Sequence, residues 1–380
     1  MSTRGASAAL AEATGTTAAA DLRLSIVVPT FNEAANLHEL LRRLEWVLGS
    51  SGWEVIFVDD DSPDGTARMA REAARRDCRV RCLQRVGRRG LSSACIEGML
   101  AASAPVIAVM DADLQHDETI LLPMLAEIGN GADVVVGTRY AEGGGTGDWD
   151  AQRKSMSLLA TRMSAFVLKQ PVSDPMSGFF MLKREVLEGC VHKLSGMGFK
   201  ILLDLLASAH GPLRIAEVPY VFRDRFAGES KLDSMVIWEY GMLLADKTVG
   251  RYIPVRFLVF SLIGGLGVFV HLAILSAVLK GLGVEFTAAQ SAATVLTMVF
   301  NYALNNALTY RDRRLRGWHW LRGLASFMVA CGIGAVANIG ISTYLFEHQT
   351  RWLLAAVAGI LVGAVWNYAV TQLYTWGKKK

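Results

Sequence analysis

Hydrophobic and polar positions follow two different patterns, one up to about Lys247 and another after Pro254. The first part alternates short β-branched runs with stretches of helical periodicity. The predicted strands are Leu24–Val28, Trp53–Val58, Arg79–Leu83, Val106–Met110, Asp133–Val136, Gly178–Leu182 and Leu213–Val221. Helices are predicted at Ala34–Leu48, from Asp64, and at Leu91–Ala102, Asp117–Ile128, Lys154–Leu168 and Gly198–Ala209. This alternation predicts a Rossmann-like α/β domain with a mainly parallel sheet.

The second part contains long runs with almost no charge, at Phe257–Leu279, Phe286–Leu308, Leu324–Phe346 and Trp352–Trp376. Each is long enough for the roughly 20 residues of a spanning helix. We therefore expect an all-α domain of four transmembrane helices. Basic residues concentrate on one side of these runs, at Arg251, Arg256, Arg311, Arg313, Arg314, Arg316, Arg322 and Lys378–Lys380. The positive-inside rule then places both termini and the α/β domain in the cytoplasm, with the chain integral to the plasma membrane.

The two patterns give four predicted segments: a disordered tail at 1–21, the α/β domain at 22–232, a linker at 233–254 and the membrane domain at 255–380. The linker holds Met235–Lys247, which mixes apolar and charged residues. It is either an amphipathic helix on the membrane surface, which we favour, or a plain packing helix.

Composition agrees with a chain that is partly embedded in a membrane. The 380 residues are 52% hydrophobic, with a mean hydropathy of +0.30. The net charge of +4 is too small and too scattered to indicate nucleic-acid binding.

The most specific chemical feature is Asp111-Ala112-Asp113, directly after the strand Val106–Met110. Two carboxylates on one extended turn can share a hard cation and the diphosphate that this cation neutralises. Gln115 and His116 follow as candidate outer ligands.

Three further polar loops follow other predicted strands, at 29–33, 59–65 and 137–140. Ligands of open α/β sheets bind outside the carboxyl ends of the strands, so these loops predict a cleft. Asp61 and Asp64 are equally well explained as turn formers and helix caps.

Six motifs occur in one order: PTFNE, VDDDSPDGT, DADLQH, GTRY, DPMSGFF and GESKL. In this order they resemble dolichol-phosphate mannose synthases and related polyprenol-phosphate hexose synthases, which are inverting family 2 glycosyltransferases of GT-A fold. The resemblance covers about Leu22 to Leu232. The membrane part resembles a GtrA-like domain, notably in Asn301, Asn305, Asn306 and Asn338.

The resemblance implies a role for each matching residue. The nucleotide-sugar-binding residues would be Pro29, Phe31, Glu33, Asp59, Asp60, Asp111 and Ala112. The ligands of Mg²⁺ or Mn²⁺ would be Asp111, Asp113 and Gln115. The catalytic residues would be Asp113, Arg139 and Arg153. The acceptor phosphate would meet Arg153, Ser177, Arg225 and Lys231, although Arg153 and Arg225 are also close to the acids Asp150 and Asp224 in sequence.

We therefore expect inverting transfer of a hexose from a nucleotide sugar, GDP-mannose or UDP-glucose, to a polyprenyl or dolichyl phosphate in the bilayer. Mannose is favoured. A processive polysaccharide synthase is an alternative, but its QxxRW motif is matched only by the shorter Gln349-Thr350-Arg351-Trp352, on the wrong side. A lipid-translocating protein is another, since asparagines within a span either bridge helices or line a polar path.

Overall fold

A computed structural model describes the chain at 22–50, 52–145, 161–165, 167–196, 198–223, 234–250, 253–348 and 352–377. The predicted tail at 1–21 lies outside these residues. The chain divides into two compact units, one ending at Thr248 and the other beginning at Val249.

The first unit is built on a seven-stranded sheet. The strands are β1 (Leu24–Thr30), β2 (Trp53–Asp59), β3 (Val80–Gln84), β4 (Val106–Val109), β5 (Val134–Thr138), β6 (Phe180–Lys183) and β7 (Ile215–Pro219). Their order is β3-β2-β1-β4-β6-β5-β7. All neighbours are parallel except β6, which runs antiparallel to both β4 and β5. The mainly parallel sheet predicted from the sequence is confirmed.

Helices cover both faces of this sheet. They are α1 (Leu37–Leu48), α2 (Thr66–Arg76), α3 (Leu91–Ala101), α4 (Leu121–Gly129), α5 (Arg184–Cys190) and α6 (Ile201–Ser208). Helices α1, α2 and α4 pack on one face, and α3, α5 and α6 pack on the other. Gly98 lets α3 approach closely, because a methyl group there would collide with Val27 of β1. With both faces covered, the strand ends are the part of the sheet left for chemistry.

Helix α7 (Ser234–Thr248) covers most of the predicted linker and belongs to the first unit. Tyr240 and Leu243 of α7 are buried against Met176 and Leu203. Lys247 Nζ lies 2.5 Å from Oδ1 of the fully buried Asp204. These contacts hold α7 against the loop that contains Met176, and the interfacial role predicted for this segment stays a prediction.

The second unit consists of α8 (Val255–Leu282), α9 (Phe286–Leu304), α10 (Trp318–Glu347) and α11 (Trp352–Val370). Three stretches of the described residues are long and apolar enough to cross a membrane: Val255–Gly281, Trp318–Ser342 and Val357–Thr375. The helix of the second predicted span, α9, is more polar. Its Ser and Thr hydroxyls donate hydrogen bonds to backbone carbonyls of the same helix. Ser291 Oγ, for example, donates to Thr287 O at 2.8 Å.

Sequence and backbone repeat between the first hairpin (α8–α9) and the second hairpin (α10–α11). Asn301-Tyr302-Ala303 in α9 recurs as Asn367-Tyr368-Ala369 in α11, and Gly265-Leu266-Gly267 in α8 matches Gly332-Ile333-Gly334 in α10. Both hairpins also end in a π-helical turn, Asn305–Thr309 in the first and Thr371–Thr375 in the second.

Equivalent residues of the two hairpins meet each other. The rings of Tyr310 and Trp376, which occupy the same position in the repeat, stack with centroids 4.1 Å apart. The ring centroids of Phe260 and Tyr368 are 5.7 Å apart, and those of their equivalents, Phe327 and Tyr302, are 5.6 Å apart. Such reciprocal contacts are the signature of a two-fold interface, so the hairpins pack as a pseudo-symmetric pair.

Each hairpin is also closed by one asparagine against one glycine. A Cβ on Gly267 would lie 2.6 Å from both Oδ1 and Nδ2 of Asn301. A Cβ on Gly334 would likewise collide with Asn367. Both Oδ1 atoms are buried, and neither has a hydrogen-bond partner within the described part of the chain. We call these two contacts the asparagine–glycine notches.

Candidate active site

The site lies at the carboxyl edge of the sheet, where β1, β2, β4 and β5 end. β1 and β2 end side by side, with Thr30 opposite Asp59 in the parallel register. Asp111 and Asp113 follow β4, and Arg139 follows β5. The structure thus brings together the four loops that the sequence predicted.

The loops after β1 and β2 are joined into one wall. Ser62 Oγ accepts the Asn32 N–H at 3.0 Å, and Asp64 Oδ2 accepts the Ala34 N–H at 3.1 Å. Burial raises the pKa of Asp64, but the Thr66 hydroxyl and backbone N–H donors outweigh it and leave that pKa below its usual value. Asp64 is thus a cap and a link between loops.

The carboxylate oxygens of Asp59 accept hydrogen bonds from the turn that follows it. It is fully buried, its Oδ1 accepts the Ser62 hydroxyl at 2.5 Å, and its Oδ2 accepts the Ser62 N–H at 2.9 Å. The Thr30 hydroxyl donates to the same Oδ1 at 3.3 Å. These contacts make Asp59 a support for the loop.

Asp60 is held between two donors. Arg85 Nη1 donates to its Oδ1 at 2.8 Å, and the Gly90 N–H donates to its Oδ2 at 2.7 Å. Burial raises the pKa of Asp60 overall, although both donors oppose that rise. Arg85 is itself buried and lies beyond the end of β3, so it fixes Asp60 against the loop that begins α3.

The remaining residues predicted to contact the nucleotide occupy the loop after β1 and its root. The Arg89 guanidinium lies over the Phe31 ring at 4.4 Å from the centroid. Glu33 Oε2 accepts from Asn36 Nδ2 at 2.7 Å. Pro29 is buried within β1. Phe31 and Glu33 therefore lie at the edge, and Pro29 supports them from beneath.

The two carboxylates after β4 differ in exposure. The side chain of Asp111 is 37% exposed, whereas Asp113 is 8% exposed and Ala112 between them is buried. Asp113 Oδ1 accepts the Gln115 N–H at 3.2 Å, which fixes the turn. Gln115 Nε2 donates to Arg223 O at 3.0 Å.

Arg223 connects this turn to the segment after β7. Its Nη2 donates to Asp117 Oδ1 at 2.7 Å, and its Nη1 donates to Glu118 Oε2 at 2.8 Å. Its N–H also donates to Gln115 O at 3.0 Å. The chain two residues before Arg225 is therefore attached to the turn of the two carboxylates.

The donor set suits Mg²⁺ or Mn²⁺. Within the described residues no cluster of three or more His, Cys, Asp or Glu side chains could hold a metal alone. Mg²⁺ is usually bound by one or two carboxylates plus substrate phosphates and water, which is what Asp111 and Asp113 offer. Gly178 leaves the space, because a Cβ there would come 3.0 Å from Asp111 Oδ2.

Arg139 is in a buried ion pair. Its Nε and Nη2 donate to Oδ2 and Oδ1 of Asp174 at 2.7 and 2.8 Å. Burial opposes its charge, but the bonds to Asp174 raise the pKa of Arg139 overall. Arg139 thus joins the loop after β5 to the loop before β6.

Ser177 is buried, and its hydroxyl serves the same two loops. Its Oγ donates to Gly137 O at 2.6 Å and accepts the Phe179 N–H at 3.1 Å. The structure therefore makes Ser177 a loop support, whereas the resemblance placed it next to the acceptor.

Backbone strain concentrates at this edge. The non-glycine residues with positive φ within the described chain are Asn32, Asp61 and Leu114, one in each of three loops of the site. Such conformations cost about 1–3 kcal/mol each and persist where the surroundings enforce them. Arg153, Arg225 and Lys231 lie outside the described residues.

Sequence reasoning did not assign roles to Arg85, Asp174 and Arg223. Asp174 was within reach, because it belongs to the DPMSGFF motif. Arg85 and Arg223 belong to none of the six motifs, and the carboxylates that they hold at the site lie 25 and 105 or more residues away. Neither has a local signal.

Two family models match the chain. The model described as "Glycosyl transferase family 2" matches residues 25–190, and the one described as "GtrA/DPMS, transmembrane domain" matches residues 259–376. The first covers β1 to α5, and the second covers most of both hairpins.

Curated relatives extend over nearly the whole chain. The dolichol-phosphate mannosyltransferase of Pyrococcus furiosus is 34% identical over 362 residues, which are 93% of this chain and 99% of that protein. That of Saccharomyces cerevisiae is 39% identical over 241 residues, 61% of this chain and 89% of that protein. Among solved structures, glucosyl-3-phosphoglycerate synthase from Mycobacterium tuberculosis, in complex with Mn²⁺, UDP and glucosyl-3-phosphoglycerate, gives a TM-score of 0.44 at 20% identity. That match covers 61% of this chain and 81% of that one.

Proposed function

Because the chain belongs to the dolichol-phosphate mannosyltransferases and related polyprenol-phosphate hexose synthases of glycosyl transferase family 2, we propose that it transfers mannose from GDP-mannose to a polyprenyl or dolichyl monophosphate. The reaction takes place at the cytoplasmic face of the membrane. The observation that carries this proposal is a carboxylate pair at the carboxyl edge of the sheet, in a chain that also has membrane-capable helices.

The donor lies along the wall formed by the loops after β1 and β2. Asp60 receives the base, since each of its oxygens has one lone pair left beside its bond to Arg85 or Gly90. Phe31, which Arg89 covers, offers an aromatic face. Buried and fixed groups of this kind discriminate well, because a base of the wrong shape leaves them unpaired.

Asp111, Asp113 and the Gln115 side chain would hold the Mg²⁺ or Mn²⁺ that accompanies the donor diphosphate. A divalent cation there neutralises the charge that develops on the leaving diphosphate. The protein contributes a preformed turn: the Gln115 N–H fixes Asp113, and Gly178 gives Asp111 room.

The acceptor needs no general base. A phosphate monoester has a second pKa of about 6, so a lipid phosphate is already a nucleophilic dianion at neutral pH. Arg153, Arg225 and Lys231 screen and orient it, since guanidinium groups bind phosphate through paired donors. Attack from the face opposite the diphosphate inverts the anomeric centre.

Membranes from cells that express the chain test the proposal. They are incubated separately with radiolabelled GDP-mannose and UDP-glucose, and the lipid fraction is extracted. We expect label from GDP-mannose in a lipid phosphate, and none with membranes carrying Asp113→Ala. Label from UDP-glucose alone would assign the glucose reaction instead, and label in a long polysaccharide would overturn the lipid acceptor.

Cysteine labelling tests the orientation. The native cysteines are replaced first, because Cys78 is exposed. Gly283→Cys, between α8 and α9, should then react with an impermeant thiol reagent on intact cells, and Arg316→Cys should not. The reverse pattern would place the site on the side without nucleotide sugars.

A further inference from the structure

His116 makes two contacts with one partner, Asp111. Its Nδ1 accepts the Asp111 N–H at 3.1 Å. Its Nε2 lies 3.6 Å from Asp111 Oδ2. One contact holds the backbone of Asp111, and the other faces its carboxylate.

The first contact fixes the position of the proton on the ring. A neutral imidazole has one N–H and one acceptor nitrogen, and Nδ1 is used as the acceptor. The proton is therefore on Nε2, the nitrogen nearest Oδ2. At 3.6 Å this is an electrostatic contact that orients the carboxylate and is too long for a hydrogen bond.

The ring cannot turn away from Asp111. Phe179 stacks on it, with centroids 5.1 Å apart and planes 18° apart. Tyr220 and Phe222 meet its edges, both at 5.8 Å. His116 itself is 2% exposed, so it is enclosed by residues from before β6 and after β7.

Gly178 lies beside both the carboxylate and the imidazole. A Cβ there would lie 3.0 Å from Asp111 Oδ2 and 3.4 Å from His116 Cε1. Any side chain at position 178 would thus press on both members of the His116–Asp111 contact.

We propose that His116 is a positioning residue that holds Asp111 in the orientation needed to bind the divalent cation, and that it exchanges no proton with substrate. This rests on the proposed function, in which Asp111 is a metal ligand. Partners behind a metal ligand commonly contribute 10- to 100-fold to metal affinity, so the effect should be measurable. If His116 were only an aromatic residue of the core, it would contribute nothing to metal affinity.

Mn²⁺ binding to the full-length, detergent-solubilised chain in the presence of GDP separates the two possibilities, with free Mn²⁺ read by electron paramagnetic resonance against a protein-free blank. His116→Phe keeps an aromatic ring in place but removes both nitrogens. We expect its Kd for Mn²⁺ to rise about 10- to 100-fold, while its melting temperature and its KM for the sugar nucleotide at saturating Mn²⁺ stay near wild type. His116→Asn, whose Oδ1 can stand where Nδ1 stands, should recover most of the affinity.

The outcomes are distinct. Wild-type Mn²⁺ affinity in His116→Phe, with weakened binding in Asp113→Ala, would overturn the positioning role and leave the proposed function intact. If Asp113→Ala also binds Mn²⁺ with wild-type affinity, the assignment of the metal site itself is wrong. If His116→Phe fails to fold, His116→Asn and His116→Gln decide. The Asn variant must bind Mn²⁺ more tightly than the Gln variant, and equal or reversed affinities contradict the proposal.

Discussion

The two units of the chain hold their buried polar groups in different ways. At the sheet edge, charges are held in pairs such as Arg139–Asp174 and Arg85–Asp60, with backbone N–H groups on the remaining oxygens. In the two hairpins the buried polar groups are amides and hydroxyls. They bond to their own helix, bond to a neighbouring segment as Asn306 does, or fill a notch beside a glycine. The comparison indicates that the first unit responds to changes of charge, and the second to changes of volume.

The largest effect is expected where charge serves chemistry. Asp113→Ala removes one of the two carboxylates of the turn. The cation is then held poorly, so the negative charge that develops on the departing diphosphate is not neutralised. Such electrostatic stabilisation is worth several kcal/mol, so transfer should fall about a thousandfold or more. Lipid-linked product is measured at equal protein levels and normal membrane insertion. Near-normal turnover, or full activity in excess EDTA, would contradict the metal assignment.

A charge effect without chemistry comes next. Asp174→Ala leaves the buried Arg139 without its main partner, which costs about 3–5 kcal/mol in comparable pairs. The melting temperature of the purified chain should then fall by about 10 °C. Glu39→Ala, which breaks the surface pairs with Arg42 and Arg43, is the control and should change it little. Equal shifts in the two variants would show that burial of the pair does not matter.

The second unit supplies the opposite test, a change of volume without charge. Gly267→Ala and Gly334→Ala each force a methyl group into an asparagine–glycine notch, and overpacking of this kind costs about 1–3 kcal/mol. Gly265→Ala and Gly332→Ala are matched controls on the same helices, with nothing within 4 Å of the new methyl. They should be neutral or slightly stabilising, because alanine favours helix. The melting temperature in detergent is measured for all four variants. Equal shifts in the notch and control variants would show that the asparagine–glycine contacts are not tightly packed.

The smallest effect concerns pH. The lowered pKa of Asp64 stabilises the folded state above its unfolded value of about 3.9, and this contribution is lost as pH falls through the lower folded pKa. Between pH 5 and 3 the melting temperature of the wild type should therefore fall more steeply than that of Asp64→Asn. Parallel curves for the two proteins would mean that Asp64 contributes nothing through its charge.

Much of the fold could be predicted because its signals are local. Runs of β-branched residues located the strands, helical periodicity located most helices of the described residues, and the carboxyl-end rule brought four loops to one edge. The antiparallel β6 between β4 and β5 could not be placed in this way, because its pairing depends on contacts distant in sequence. The pseudo-symmetric pairing of the hairpins likewise depends on contacts between them.

The site shows the same limit at the level of single residues. Asp59, Asp60 and Asp61 are adjacent and chemically identical, yet Asp59 holds a turn and Asp60 is paired with Arg85. Only the partners distinguish them: Ser62 of the same loop holds Asp59, whereas Arg85 and Gly90, between β3 and α3, hold Asp60. The pair Asp111 and Asp113 was easier to recognise, because both carboxylates directly follow one buried strand, β4.

The repeat of the two hairpins has an evolutionary consequence. Copying a gene for one hairpin and fusing the copies adds an even number of helices, so the ends of the fused unit keep the sides that they had. A homodimer must accept every substitution twice, at both symmetric positions, whereas a fused pair can accept it once. Asn305 of the first hairpin and Thr371, its equivalent in the second, are such a difference.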